Sequence, residues 1–321
     1  MLAKLRYAGA LVLALQVAQT AAAQAPTQSE LAALERESAA QQKRNDAMPD
    51  TPGTGPYAAD KRIDPAFPGY VTYRPRDLSA LSRPLKVLIW GNGGCSADGA
   101  SARLHLAEIA SHGYLVLAPG TIRSGPGTPP RPRPVFDRAK LTAETKPAAL
   151  TRALDLVEAA AKSGYYAGWI DMGRIAVAGH SCGGLQALAV APDPRVRTAV
   201  IQNSGLFPDG NPGIDGIVIP KSQLDRLRTP VLYVLGGPTD IAYPNGMDDY
   251  GRITKVPVAV ANLPVGHGGT FAEPNGGAVA QVVVDWLAWQ LDGDARAGSR
   301  FAGKDCGLCT DSKWTYAAKG L

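Results

Sequence analysis

The sequence predicts an α/β fold, a mostly parallel central sheet flanked by helices, and three observations carry that prediction. Short apolar, β-branched runs recur at 85–90, 114–118, 174–178, 196–202, 230–235 and 256–260. Helix-like stretches stand between several of them, at about 101–111, 148–163 and 276–291, and strands alternating with helices build parallel sheets. Several of the strand-like runs end in glycine-rich turns, at the end of the sheet where open α/β folds gather their ligands.

At the N-terminus, Lys4 and Arg6 precede the apolar run 8–17 and then Thr20-Ala21-Ala22-Ala23. That order reads as a secretory signal peptide over 1–23, its apolar core short for a membrane span, with an uncleaved anchor as the competing reading. Residues 24–66 are rich in Ala, Gln, Pro and Gly and read as an N-terminal segment and linker, so the main folded domain is expected over 67–321. One α/β domain routinely uses about 250 residues. An apolar fraction of 45% and a charged fraction of 19% allow a sizeable core. The net charge of +5 is scattered. Its one local cluster, Arg131-Pro132-Arg133-Pro134, has no interleaved aromatics, which argues against nucleic-acid binding.

The first strand of the domain is expected at 70–75, and the run 85–90 leads into Gly91-Asn92-Gly93-Gly94-Cys95. This loop lacks both the Gly-x-Gly-x-x-Gly spacing and a Gly-Lys-Ser/Thr phosphate cradle, which weakens a nucleotide-binding reading. The long Gly/Pro/Arg loop 120–134 borders the mouth of the expected site.

The run 174–178 is followed at once by Gly179-His180-Ser181-Cys182-Gly183-Gly184 and then by an apolar helix-like stretch. Strand, sharp turn and helix around Gly-x-Ser-x-Gly describe a nucleophile elbow, in which the serine is held in a strained conformation with its hydroxyl raised. Side chains at 179 and 183 would collide with the neighbouring strand and helix.

A nucleophilic serine needs a base and an orienting acid, in the chain order Ser, Asp or Glu, His. Of the four histidines, His105 and His112 precede the serine and read as surface positions, and His180 lies inside the elbow. His267, in the glycine-flanked loop 263–269, remains. Asp240 follows the strand-like run 230–235 and is the expected acid. Asp248 and Asp249 fall in the next helix, and Asp215 and Asp225 precede the strand. Residues 204–227 read as an insertion that caps the site.

These residues resemble the α/β-hydrolase superfamily over about 67–302, and within it the secreted dienelactone-hydrolase and cutinase-like (polyester hydrolase) branch. Gly179-His180-Ser181-Cys182-Gly183-Gly184, Asp240-Ile241-Ala242-Tyr243-Pro244 and the closing stretch 285–294 with Phe301 carry the likeness. The chain departs from those families at Asn92, where a His-Gly pair is usual, and at Cys95 and Cys182. The resemblance implies a serine esterase working through an acyl-enzyme, with Ser181 as nucleophile, His267 as base and Asp240 orienting it. The oxyanion would be held by the backbone N–H of Cys182 and of Gly94, with Asn92 or Cys95 as the alternatives to Gly94. No metal or organic cofactor is called for. The partner is an ester substrate, small or polymeric. An acyltransferase or an amide or lactone hydrolase with the same three residues, and a non-catalytic binding module, are the competing readings.

A secreted or periplasmic location makes disulfides the expected state of the four cysteines. Two N–H groups that share one oxygen bring Cys95 and Cys182 within disulfide reach, and Cys306-Gly307-Leu308-Cys309 reads as a local bridge. Pairing between the two sets stays open.

Overall fold

The computed structural model describes residues 43–129, 142–211 and 213–321, with single positions between 32 and 40. The signal peptide expected at 1–23 and the basic cluster at 131–134 lie outside the described residues.

Nine strands form one sheet: β1 (Ala59–Ile63), β2 (Tyr70–Pro75), β3 (Leu85–Gly91), β4 (Tyr114–Pro119), β5 (Ile170–His180), β6 (Val196–Gln202), β7 (Val231–Leu235), β8 (Val258–Asn262) and β9 (Thr315–Lys319). Their spatial order is β1-β2-β4-β3-β5-β6-β7-β8-β9. The six strands from β4 to β8 run parallel, and β2 with β1 at one edge and β9 at the other add antiparallel pairs. The expected runs are all strands.

Helices packed with the sheet include α1 (Arg103–Ser111), α2 (Pro147–Lys162), α3 (Cys182–Val190), α4 (Tyr243–Arg252), α5 (Gly277–Asp292) and the short α6 (Ala295–Gly298) and α7 (Gly307–Thr310). Alternation along the central strands divides the core between two faces. Val87 and Ile89 point to the face covered by α2, α3 and α4. Leu88 and Trp90 point to the face covered by α1 and α5. Each strand is therefore buried on both sides, which is why the central runs are continuously apolar rather than alternating.

The structure corrects two expectations. The fold begins before residue 67: β1 pairs with β2, and the chain ahead of it is strapped across α1. Arg103, only 1% exposed, donates to Asn45 Oδ1 and to the Asn45 and Met48 carbonyls, and pairs with Asp50. Thr54 and Gly55 bond Glu108 and Ser111. This strap buries the outer side of α1. The second correction concerns the inner side of the same helix, which faces the sheet. His105 is not a surface residue but fully buried, packed between Trp90 and Phe271. His112 is partly exposed and bonds Glu108. Residues 204–227 pack on the helices that follow the elbow and the acid loop. Lys221 and the Leu206 N–H bind Asp249 on α4, and Gln223 donates to the last carbonyls of α3. Ser204, at its start, bonds the Ser181 carbonyl.

Candidate active site

Ser181 stands between the end of β5 and the start of α3 with φ 52° and ψ −122°. A non-glycine residue rarely adopts a positive φ, and holding one there costs on the order of 1–3 kcal/mol that the surroundings must supply. They do so by close backbone packing. A Cβ at Gly179 would strike the Gly183 carbonyl, and one at Gly183 would strike Gly91 on β3. The Ser181 N–H donates to the Gln202 carbonyl at 2.9 Å. Its carbonyl accepts from Ser204 Oγ at 2.6 Å and the Gly184 N–H at 2.8 Å.

Asp240 follows β7 and is 1% exposed. Its Oδ2 accepts from the Gly236 N–H at 3.0 Å and Asn203 Nδ2 at 2.9 Å. Its Oδ1 accepts from the Ala242 N–H at 2.9 Å and His267 Nδ1 at 2.6 Å. Burial by itself pushes this carboxyl up; the His267 hydrogen bond and charge and the two backbone donors outweigh it and bring the pKa down to about 2. An ionised carboxylate only accepts, so the proton on His267 sits at Nδ1 and leaves the Nε2 lone pair free. Nε2 lies 2.9 Å from Ser181 Oγ. The three side chains thus form one hydrogen-bonded chain across the tips of β5, β7 and β8. The competing acids are elsewhere. Asp249 is fully buried with Lys221 and Tyr233, and burial raises its pKa to about 6. Asp248 pairs with Lys221 and Arg252.

The loop after β3 comes to the same place. Cys95 and Cys182 are joined, with Cα atoms 5.2 Å apart, and so link this loop to the first residue of α3. Asn92 fastens the loop from below, donating to the Ser96 and Pro119 carbonyls. The Cys95 N–H is spent on Asn92 O and the Ser96 N–H on Gly93 O. Gly94, exposed and at φ 62°, keeps its N–H out of these turn bonds. As the first residue of α3, Cys182 has no intrahelical acceptor for its own N–H. The second pair, Cys306 and Cys309, bridges the turn that precedes β9, with Cα atoms 4.9 Å apart.

His180 and Asn203 are the neighbours that sequence reasoning did not pick out. His180 turns away from Ser181 and donates through Nε2 to the His267 carbonyl at 2.9 Å, while its ring packs on Phe271. Burial, and next the charge of His267, lower its pKa to about 4, so it is neutral at ordinary pH. Its place inside the elbow was visible in the sequence; the direction of its ring was not. Nothing in the sequence marks Asn203 beyond a turn-like Asn203-Ser204-Gly205 after a strand.

Among the described residues no three His, Cys, Asp or Glu side chains gather as a metal site requires, and no helix is long and apolar enough to cross a membrane. A hydroxyl backed by an imidazole that is itself backed by an ionised carboxylate can give up its proton as it attacks an electrophile. No protein-family model and no curated protein matches the chain.

Proposed function

We propose that this chain is a secreted serine hydrolase of carboxylic esters, an α/β-hydrolase akin to the dienelactone-hydrolase and cutinase-like branch. The carrying observation is the continuous Ser181–His267–Asp240 hydrogen-bonded chain, 2.9 and 2.6 Å, with the serine at positive φ on a strand-to-helix turn. Ser181 Oγ attacks the acyl carbon as His267 Nε2 takes its proton. Asp240, already ionised, holds the Nδ1–H tautomer and stabilises the imidazolium. The N–H groups of Gly94 and Cys182 receive the oxyanion, and the N-terminus of α3 adds its partial positive charge. Collapse of the tetrahedral intermediate expels the alcohol, which leaves with the proton from His267. Water then loses a proton to His267 and attacks the acyl-enzyme; a second collapse frees the acid and returns the proton to Ser181. Protons and charge balance within these groups.

The leader read at 1–23 supports export, and two disulfide-bonded pairs suit an oxidising compartment. A p-nitrophenyl ester chain-length series, run beside polyester films and with a phosphonate probe of the serine, tests the reading. Turnover with labelling at Ser181 is expected, and film erosion would extend it to polymers. Absence of labelling together with absence of ester turnover would overturn it. Acyl transfer to an added alcohol in preference to water would move the assignment to a transferase.

A further inference from the structure

Asp240 and His267 sit on loops from two different strands, and one side chain outside the proton path touches both loops. Asn203 follows the last residue of β6, is 2% exposed and has φ 46°. That left-handed backbone is one that asparagine tolerates better than most residues. It is pinned by the N–H bond to the Val234 carbonyl at 2.8 Å. The side-chain amide is divided between two acceptors. One hydrogen goes to Asp240 Oδ2 at 2.9 Å and the other to the Gly266 carbonyl at 3.1 Å. Gly266 immediately precedes His267, and its own N–H reaches back to the Gly236 carbonyl of the acid loop at 2.9 Å.

We propose that Asn203 is a positioning residue that locks the acid loop to the histidine loop, aiming Asp240 Oδ1 at His267 Nδ1. The inference rests on the Ser181–His267–Asp240 reading above. With Oδ2 occupied by Asn203 and Gly236, rotation of the carboxylate would break bonds on both oxygens. Loss of the amide leaves one donor on Oδ2 and frees the carbonyl next to the base. A carboxylate with fewer donors is also a stronger attractor of positive charge, so it raises the proton affinity of His267. The titratable groups facing this site are Asp240, His267 and His180, whose ring centroid is 5.3 Å from that of His267.

The test is Asn203→Gly, which accepts the left-handed backbone freely and deletes both amide bonds. Asn203→Ser, too short to span both acceptors, is measured the same way should the glycine variant fail to fold. The expected result is a kcat about 10-fold lower, in line with loss of a hydrogen bond to a charged group, with KM within about twofold. The acid limb of kcat/KM moves to higher pH. The imidazole titration of His267, followed by NMR in the same variants, moves the same way and needs no turnover. An unchanged kcat with an unmoved titration overturns the inference. So does a loss of thermal stability with the His267 titration unmoved, since that is a purely structural role. An inactive wild type, or an active Ser181→Ala, overturns the hydrolase reading alone, and the NMR titration still decides Asn203.

Discussion

Ser181 is the residue on which the proposed chemistry turns, and its backbone conformation and its hydroxyl are separate contributions. Ser181→Ala keeps the elbow and removes the nucleophile, so ester turnover should fall by more than about 10⁴-fold while the melting temperature holds or rises. His267→Gln should lose about as much. Asp240→Asn should lose less than either, but still on the order of 10⁴-fold, because the base survives while the amide favours the wrong tautomer. Steady-state kinetics on one soluble ester ranks all three. The pH profile follows from the same geometry. Asp240 is held ionised down to about 2 and His180 is neutral above about 4. The acid limb of kcat/KM should therefore show one proton, the one that His267 takes up, and a two-proton limb would count against this assignment. The three principal residues were legible because the motif around Ser181 is local and because few histidines and acids compete for the other roles. Asn203 was not, since its partners come from β7 and β8, far along the chain.

At the scale of the element, the turn after β3 and the start of α3 work as one unit. The Cys95–Cys182 bridge closes a sequence separation of 87 residues. The loop-entropy model assigns such a closure roughly 4–5 kcal/mol, often less in practice. Cys95→Ser with Cys182→Ser should lower the melting temperature by about 10 °C and should also lower kcat, because Gly94 and Cys182 lose their mutual placement. Non-reducing mass mapping checks the pairing first, and calorimetry with kinetics then reads both effects. A destabilised variant with unchanged kcat would confine the bridge to a structural role. Apart from the polar start of β5, which begins four residues before the apolar run, the central strands were readable to within a residue or two because burial on both faces makes them continuously apolar. The edge strands were not. β1 is Ala-Asp-Lys-Arg-Ile and β9 is Thr-Tyr-Ala-Ala-Lys, sequences that become strands only because β2 and β8 offer unpaired edges.

At the scale of the whole molecule, the N-terminal strap closes the face of the sheet that α1 and α5 cover. Glu108 is its anchor, fully buried and bonded by Thr54, Gln281 and His112. Burial alone would raise its carboxyl; the bonds from His112, Thr54 and Gln281 prevail and lower it from 4.5 to about 2. A depressed carboxylate contributes stability that is present above the unfolded value and is lost as pH falls through the folded one. Acid unfolding should therefore draw on Glu108 between pH 4.5 and about 2. Glu108→Gln should be less stable than wild type at pH 7, with a shallower fall in melting temperature across that window. Parallel stability curves for the two proteins would remove Glu108 from the account.

The sequence by itself determined the chain order of the central strands and helices and the strand-turn-helix around Ser181, and it pointed to His267 and Asp240, the side chains that the structure joins to Ser181 by hydrogen bonds. Those features depend on local periodicity, on glycines that no other residue can replace, and on a small set of competing side chains. Only the tertiary structure decided that the segment before residue 67 belongs to the fold, that His105 is buried and that Asn203 spans two loops. Each depends on what packs against a polar stretch from far along the chain: β2 and α1 beside the segment before residue 67, Phe271 and Gln202 beside His105, the tips of β7 and β8 beside Asn203. A polar residue reads alike in a solvated loop and in a satisfied interior, and only its partners, brought up by the sheet order, tell the two apart.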